Sequence, residues 1–157
     1  MKKRFVIIYI LFIFMVLLLA PLNAKNEFDK IIINASNIKV EYFCGDKVEN
    51  LSLNVQSVGY GSIISCDYSN RDLVKKEAKN IQGVSYYLNL EDFNLIEFLI
   101  QNQAKIVSKQ DFDNIKIIYA LSSNLKKVIK DEKNFNLEIA MSGSNVTIGY
   151  PLIMGSY

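Results

Sequence analysis

The residues able to do chemistry are few in kind: two cysteines, nine tyrosines and sixteen acids in 157 residues, and no histidine. Without histidine the commonest general base and metal ligand is missing, so serine–histidine and cysteine–histidine nucleophiles are excluded. Carboxylates occur in two close pairs, Glu91 with Asp92 and Asp111 with Asp113. Two acids about 5–10 Å apart can hydrolyse glycosidic bonds, so carboxylate-only hydrolysis stays open. The first pair reads as the start of a helix, where acids complement the dipole. The second opens "DFDN", which resembles the head of a calcium loop but lacks the glycine and distal glutamate at EF-hand spacing. No catalytic residue, metal or cofactor is assigned.

Three further sets of residues bear on function. Cys44 and Cys66 either form a disulfide, worth roughly 3 kcal/mol in the chain-entropy model, or remain two small buried thiols; no C-x-x-C motif is present. Gly59-Tyr60-Gly61-Ser62 lacks the Gly-Lys-Ser/Thr of a phosphate loop and reads as a hairpin turn. Tyr60, Tyr68, Tyr86 and Tyr87 form either an exposed interaction patch or a set of core-edge rings. Three formal glycosylation sequons begin at Asn34, Asn50 and Asn145 in a chain rich in asparagine.

The N-terminus changes how the composition is read. Met1-Lys-Lys-Arg4 is a basic flank, Phe5 to Ala20 is unbroken apolar sequence, and Leu22-Asn23-Ala24 closes it. This is the pattern of an export signal, cleaved after Ala24. The alternative is a retained anchor touching the membrane through residues 5–22, about 27 Å of helix. No cysteine near the apolar run allows a lipid anchor. Residues 1–24 are therefore a signal or anchor, and residues 25–157 one domain. Loss of Lys2, Lys3 and Arg4 leaves 15 of 18 basic residues against 16 acids. A nucleic-acid binder needs a basic face, so nucleic acid is not an expected partner.

The elements that position these residues follow from periodicity. Residues 26–36 are taken as a short helix, with a strand around Ile31–Ile33 as the alternative. Strands are expected at 38–44, 51–55 and 62–68, where apolar and polar residues alternate, and short connections make them an antiparallel meander. Ser69-Asn-Arg-Asp72 resembles a capping box opening a helix that Gly83 closes. A strand at 84–88 precedes the longest helix, from Glu91 to about Val107. Strands at 114–121 and 135–141 flank a helix capped by Ser122 or Ser123. The terminal residues, from Val146, are a strand paired with "FNLEIAM". Pro151 belongs at an edge or bulge.

Residues 134–157, "NFNLEIAMSGSNVTIGYPLIMGSY", resemble the ending of the YwmB-type family of exported proteins from spore-forming Gram-positive bacteria. The residues that carry the resemblance are Asn136-Leu137-Glu138-Ile139-Ala140, then Ile148-Gly149-Tyr150-Pro151-Leu152, then Tyr157. "NQAKIVS" from Asn102 and "NIKIIYALSSNLKKVI" from Asn114 extend it upstream, and Ile38 to Leu53 match loosely. The family often has Arg where Ser142 stands and Glu where Ser156 stands. The resemblance implies an α+β fold similar to the TATA-box-binding protein, with a curved antiparallel sheet and helices packed on one face. It also implies an extracytoplasmic location, secreted or on the outer face of the cytoplasmic membrane, and no established catalytic residues. Fold does not carry function. The expectation is a non-enzymatic module that binds an envelope protein or wall component, with wall-glycan hydrolysis and nucleic-acid binding as lesser alternatives.

Overall fold

The computed structural model describes residues 27–49 and 53–155. The expected leader, the sequon at Asn50 and Tyr157 lie outside the described residues. Among the described residues the fold is α+β: eight antiparallel strands in one sheet with two short helices. The strands are β1 Lys39–Cys44, β2 Asn54–Val58, β3 Gly61–Asp67, β4 Ile81–Asn89, β5 Ala104–Phe112, β6 Ile115–Ser122, β7 Leu137–Ser142 and β8 Asn145–Tyr150. Their order across the sheet is β2-β3-β1-β4-β8-β7-β6-β5. The helices are α1 Arg71–Glu77 and α2 Leu95–Gln101.

Alternation of side chains gives the sheet two unlike faces. One carries Val40, Tyr42, Ile64, Val84, Tyr86, Ile118, Ile139 and Ile148, all at most 2% exposed. Val74 of α1, Phe98 of α2, Phe28 and Leu125 pack against this face and close the core. Each such side chain contributes about 1.5–3 kcal/mol by leaving water. Lys75 of α1 bridges Asp29 and Asp72, tying the helix to the N-terminal segment. Among the described residues no helix is long and apolar enough to cross a membrane.

Several local expectations are corrected. Residues 27–36 form neither the expected helix nor a strand: a single 3-10 turn, Glu27–Lys30, leads into extended chain that buries Ile31 and Ile33 and exposes Ile32. A run of three β-branched residues disfavours helix. The first three strands are not a simple meander, because β3 inserts between β1 and β2. Gly83 does not cap a helix; it lies inside β4, and α1 ends at Glu77. Asn70 precedes α1 without a side-chain cap bond. The long helix from Glu91 shrinks to seven residues. Asn94 starts it by accepting from the N–H groups of Ile96 and Glu97, and positive φ at Gln103 (48°) ends it. Residues 105–107 belong instead to β5. The expected helix after Ser122 is a loop with one bridge, Ile129 to Phe135.

Two buried asparagines hold these loops. Asn102, 1% exposed, accepts from Ile32 N–H (2.9 Å) and donates to the carbonyls of Ile32 (2.8 Å) and Phe98 (2.9 Å). Asn136, fully buried, accepts from Ser122 N–H (2.7 Å) and donates to the carbonyls of Ser122 (2.9 Å) and Leu125 (3.1 Å). The Ser122 hydroxyl donates to the Asn102 carbonyl at 2.5 Å, joining the two sites. Backbone groups that no strand satisfies are thereby satisfied by amide side chains.

Candidate functional site

The face opposite the helices carries the chemistry. Register places one residue from each strand in a single line across it: Asn54, Ser65, Glu41, Ser85, Gly149, Glu138, Tyr119 and Ser108, from β2 to β5. Seven of the eight have polar side chains. At about 4.8 Å per strand the line is roughly 34 Å long.

Two carboxylates anchor it. Glu41 accepts from the Tyr87 hydroxyl at 2.7 Å and the Ser65 hydroxyl at 3.3 Å. Burial and then the bond to Glu41 push the Tyr87 hydroxyl well above the usual tyrosine range, so it stays a donor. Glu138, 3% exposed, sits in a strand otherwise rich in apolar residues and accepts from Ile153 N–H at 2.9 Å. Burial and then the adjacent Glu138 carboxylate raise the Tyr119 hydroxyl in the same direction. Tyr119 also donates to Gln110 Oε1 at 3.4 Å.

Residues 151–155 lie across the middle of this line. After a cis Tyr150–Pro151 bond the chain leaves β8 and folds back over the sheet. Ile153 N–H meets Glu138, and Met154 N–H donates to Ser85 Oγ at 3.4 Å. A Cβ on Gly149 would stand 2.1 Å from Ile153 N, and one on Gly155 would stand 2.7 Å from Tyr87 Oη. The segment therefore rests backbone against backbone, on a floor that glycine alone permits.

Open grooves flank it. One, about 740 Å³, is lined by Lys39, Glu41, Asn54, Ser65, Asp67 and Tyr87 among others. The other, about 360 Å³, includes Ser108, Gln110, Tyr119, Phe135, Glu138 and Leu152. The rings of Tyr119 and Phe135 meet edge to face at 4.7 Å.

The residues singled out from sequence are scattered. Tyr60 is 96% exposed at the tip of the β2–β3 hairpin, beside Gly59 at φ 56°. Tyr68 and Tyr86 approach each other at 6.3 Å, but Tyr86 is buried beneath the helices. Tyr87, next in the strand, faces the other way. The four form no common patch, because adjacent strand residues point to opposite faces.

Cys44 and Cys66 are free thiols. Cys44 stands opposite Ser62, and Cys66 opposite Val40. Four residues of offset put them about 13 Å apart along the ladder, beyond disulfide reach. Burial pushes both thiols up, with Asp46 and Asp67 adding to it, so neither is an activated nucleophile.

Glu91 and Asp92 precede α2 in a 3-10 turn, where Asp92 accepts from the Ser36 hydroxyl at 2.7 Å. Asp111 and Asp113 are exposed around the β5–β6 turn. Among the described residues no group of three or more His, Cys, Asp or Glu residues could hold a metal ion. Sequence reasoning missed Glu41, Ser85, Glu138 and Gly149. The available signals were a lone acid in "NLEIAM" and a glycine inside a strand.

Comparison with protein-family models, with curated proteins and with solved structures finds no match to this chain.

Proposed function

We propose that this is a non-enzymatic, extracytoplasmic interaction module that recognises an envelope protein or wall component through the helix-free face of its sheet. The observation that carries the reading is the polar line across all eight strands, occupied at its centre by residues 151–155 and open at both ends. A sheet with one face on the core and one in water is ordinary for antiparallel strands; what marks this face is the segment laid across it between two open grooves, concavities of the kind in which ligands bind. Glu41, Asp67 and Glu138 on that face oppose phosphate, which argues against nucleic acid. The basic-then-apolar leader at residues 1–24 supports export, and the resemblance to YwmB-type proteins supports an envelope location and a TATA-box-binding-protein-like arrangement.

A photoreactive residue at Lys39 or Gln56, on the open groove and β2, should capture a partner from an envelope fraction. The same residue at Lys76, on α1, should not. Capture only from Lys76, or none from any position, refutes the assignment of the face. Fractionation with N-terminal sequencing checks export and the cleavage site; full-length chain in the cytosol refutes that part.

A second reading has one specific observation in its favour. Glu41 and Asp67 are diagonal neighbours, on the order of 7 Å apart, in the larger groove. That separation falls within the range of carboxylate-pair hydrolysis. Asp67, however, is exposed at an open rim, without the water-excluding wall that such chemistry uses. Release of soluble fragments from purified wall by the parent, and not by Asp67→Asn, would establish it.

A further inference from the structure

Resting on the reading that the helix-free face is the recognition surface, we propose that its ligand is an extended polypeptide. Residues 151–155 occupy the place that such a partner takes, and the line from Glu138 to Glu41 reads main chain. The resident segment displays what the groove accepts. Both of its hydrogen bonds to the floor are given by backbone, Ile153 N–H to Glu138 Oε2 and Met154 N–H to Ser85 Oγ. The absent Cβ of Gly149 lets a flat amide plane rest directly on β8. A sugar ring has neither the flat profile nor the repeating N–H donors that this floor suits. Where the segment passes Tyr87 it carries glycine, and where it passes Gly83 it carries the long, flexible Met154. Those are the side-chain preferences expected of the partner.

The groove is longer than its occupant. About 34 Å of polar line accommodates roughly ten extended residues, whereas the hydrogen bonds and close backbone approaches of residues 151–155 fall on the central strands β7, β8, β4 and β1. An incoming chain therefore has footholds in the open grooves at either end before it meets the resident segment. The Ile153 N–H bond to Glu138 is the one an incoming backbone N–H would take over.

The test uses the labelled synthetic peptide Tyr-Pro-Leu-Ile-Met-Gly, read by fluorescence anisotropy. It is titrated into the full chain and into Ile153→Pro, which deletes the N–H that Glu138 receives. The variant should bind at least tenfold more tightly than the parent, and adding Glu138→Ala should remove that gain. Equal binding by parent and variant, or a gain indifferent to Glu138, overturns the proposal. Should Ile153→Pro fail to melt cooperatively, hydrogen exchange on the parent with excess peptide decides. Faster exchange at the amides of residues 153 and 154, with β7 and β8 unchanged, supports it; unchanged exchange overturns it. Wall-glycan oligomers that bind where the peptide does not would overturn the polypeptide assignment and leave the face as recognition surface. Failed capture at Lys39 and Gln56 would overturn the face itself.

Discussion

Replacing Asn136 by alanine removes three hydrogen bonds from a site with no water access. The two bonds to carbonyls contribute about 1 kcal/mol net each, and the donor left buried without a partner costs about 1–3 kcal/mol. Ser122 N–H is that donor: Ser122 is 2% exposed, and its amide points at Asn136 Oδ1. The expected loss is therefore about 3–5 kcal/mol, a large share of the roughly 5–15 kcal/mol a domain possesses. Urea unfolding followed by circular dichroism measures it. With a slope of about 1–3 kcal/mol per molar, the midpoint should fall by roughly 2 M. Asn136→Asp is the discriminating control. It keeps an acceptor for Ser122 N–H but turns a carboxylate oxygen toward two carbonyls, so at pH 7 it should be at least as damaging as alanine. A loss under about 1 kcal/mol for Asn136→Ala, or a clearly milder Asn136→Asp, would refute the three-bond account. Asn102→Ala in the same background should show coupling rather than additivity, because Ser122 touches both asparagines.

Truncation after Ser144 should give insoluble protein, since β8 lies between β4 and β7 and buries Val146, Ile148 and Tyr150; a soluble truncate with a cooperative melt refutes this. Alkylation in denaturant without reductant should label both Cys44 and Cys66, and protection of the pair would contradict the register. Alkaline pH should unfold the domain. Burial raises the hydroxyls of Tyr42 and Tyr86, so the folded state holds protons that the unfolded state releases above about pH 10. Stability is thus fully present below pH 10 and falls as pH rises beyond it, by up to about 1.4 kcal/mol per pH unit for each. Tyrosinate absorbance at 295 nm should rise together with loss of circular dichroism; a smooth titration near pH 10 with the fold intact refutes it.

What the chain shows on its surface and what it hides divide along a physical line. Val40, Tyr42 and Cys44 against Lys39, Glu41 and Phe43 announce a strand because alternation is a local property of sequence. The helix from Glu91 is over-read for the converse reason. Phe93, Ile96, Leu99 and Ile100 keep helical spacing, yet α2 stops where Gln103 takes a positive φ, just after Asn102 turns its amide to Ile32, seventy residues away. The candidate site is hidden more deeply. Glu41 and Glu138 are ninety-seven positions apart in sequence, and only the joint register of β1, β4, β8 and β7 sets them in one line. The quoted "NLEIA" stretch was visible as a pattern, but its Asn holds a loop and its Glu holds residue 153. No spacing rule separates those two roles.

Strand glycines offer the sharpest local test of the segment that crosses the sheet. Glycine inside a strand ordinarily weakens it, and replacement by alanine should gain about 0.5–1 kcal/mol. At Gly149 the sign should invert. The new methyl would stand 2.1 Å from Ile153 N and 2.2 Å from Leu152 C, backbone atoms that cannot yield by rotating a side chain. Residues 152–154 would have to lift, giving up the bonds to Glu138 and Ser85, for a loss of about 1–3 kcal/mol. At Gly83 the nearest atom is Met154 Sδ, 2.9 Å away at the far end of a flexible side chain, with Tyr150 O next at 3.2 Å. Gly83→Ala should therefore cost distinctly less than Gly149→Ala. Urea midpoints give the difference, and hydrogen exchange at Ile153 and Met154 gives its cause. Should Gly149→Ala stabilise the domain while those amides stay protected, residues 151–155 do not lie on β8, and the central occupancy of the helix-free face would have to be abandoned.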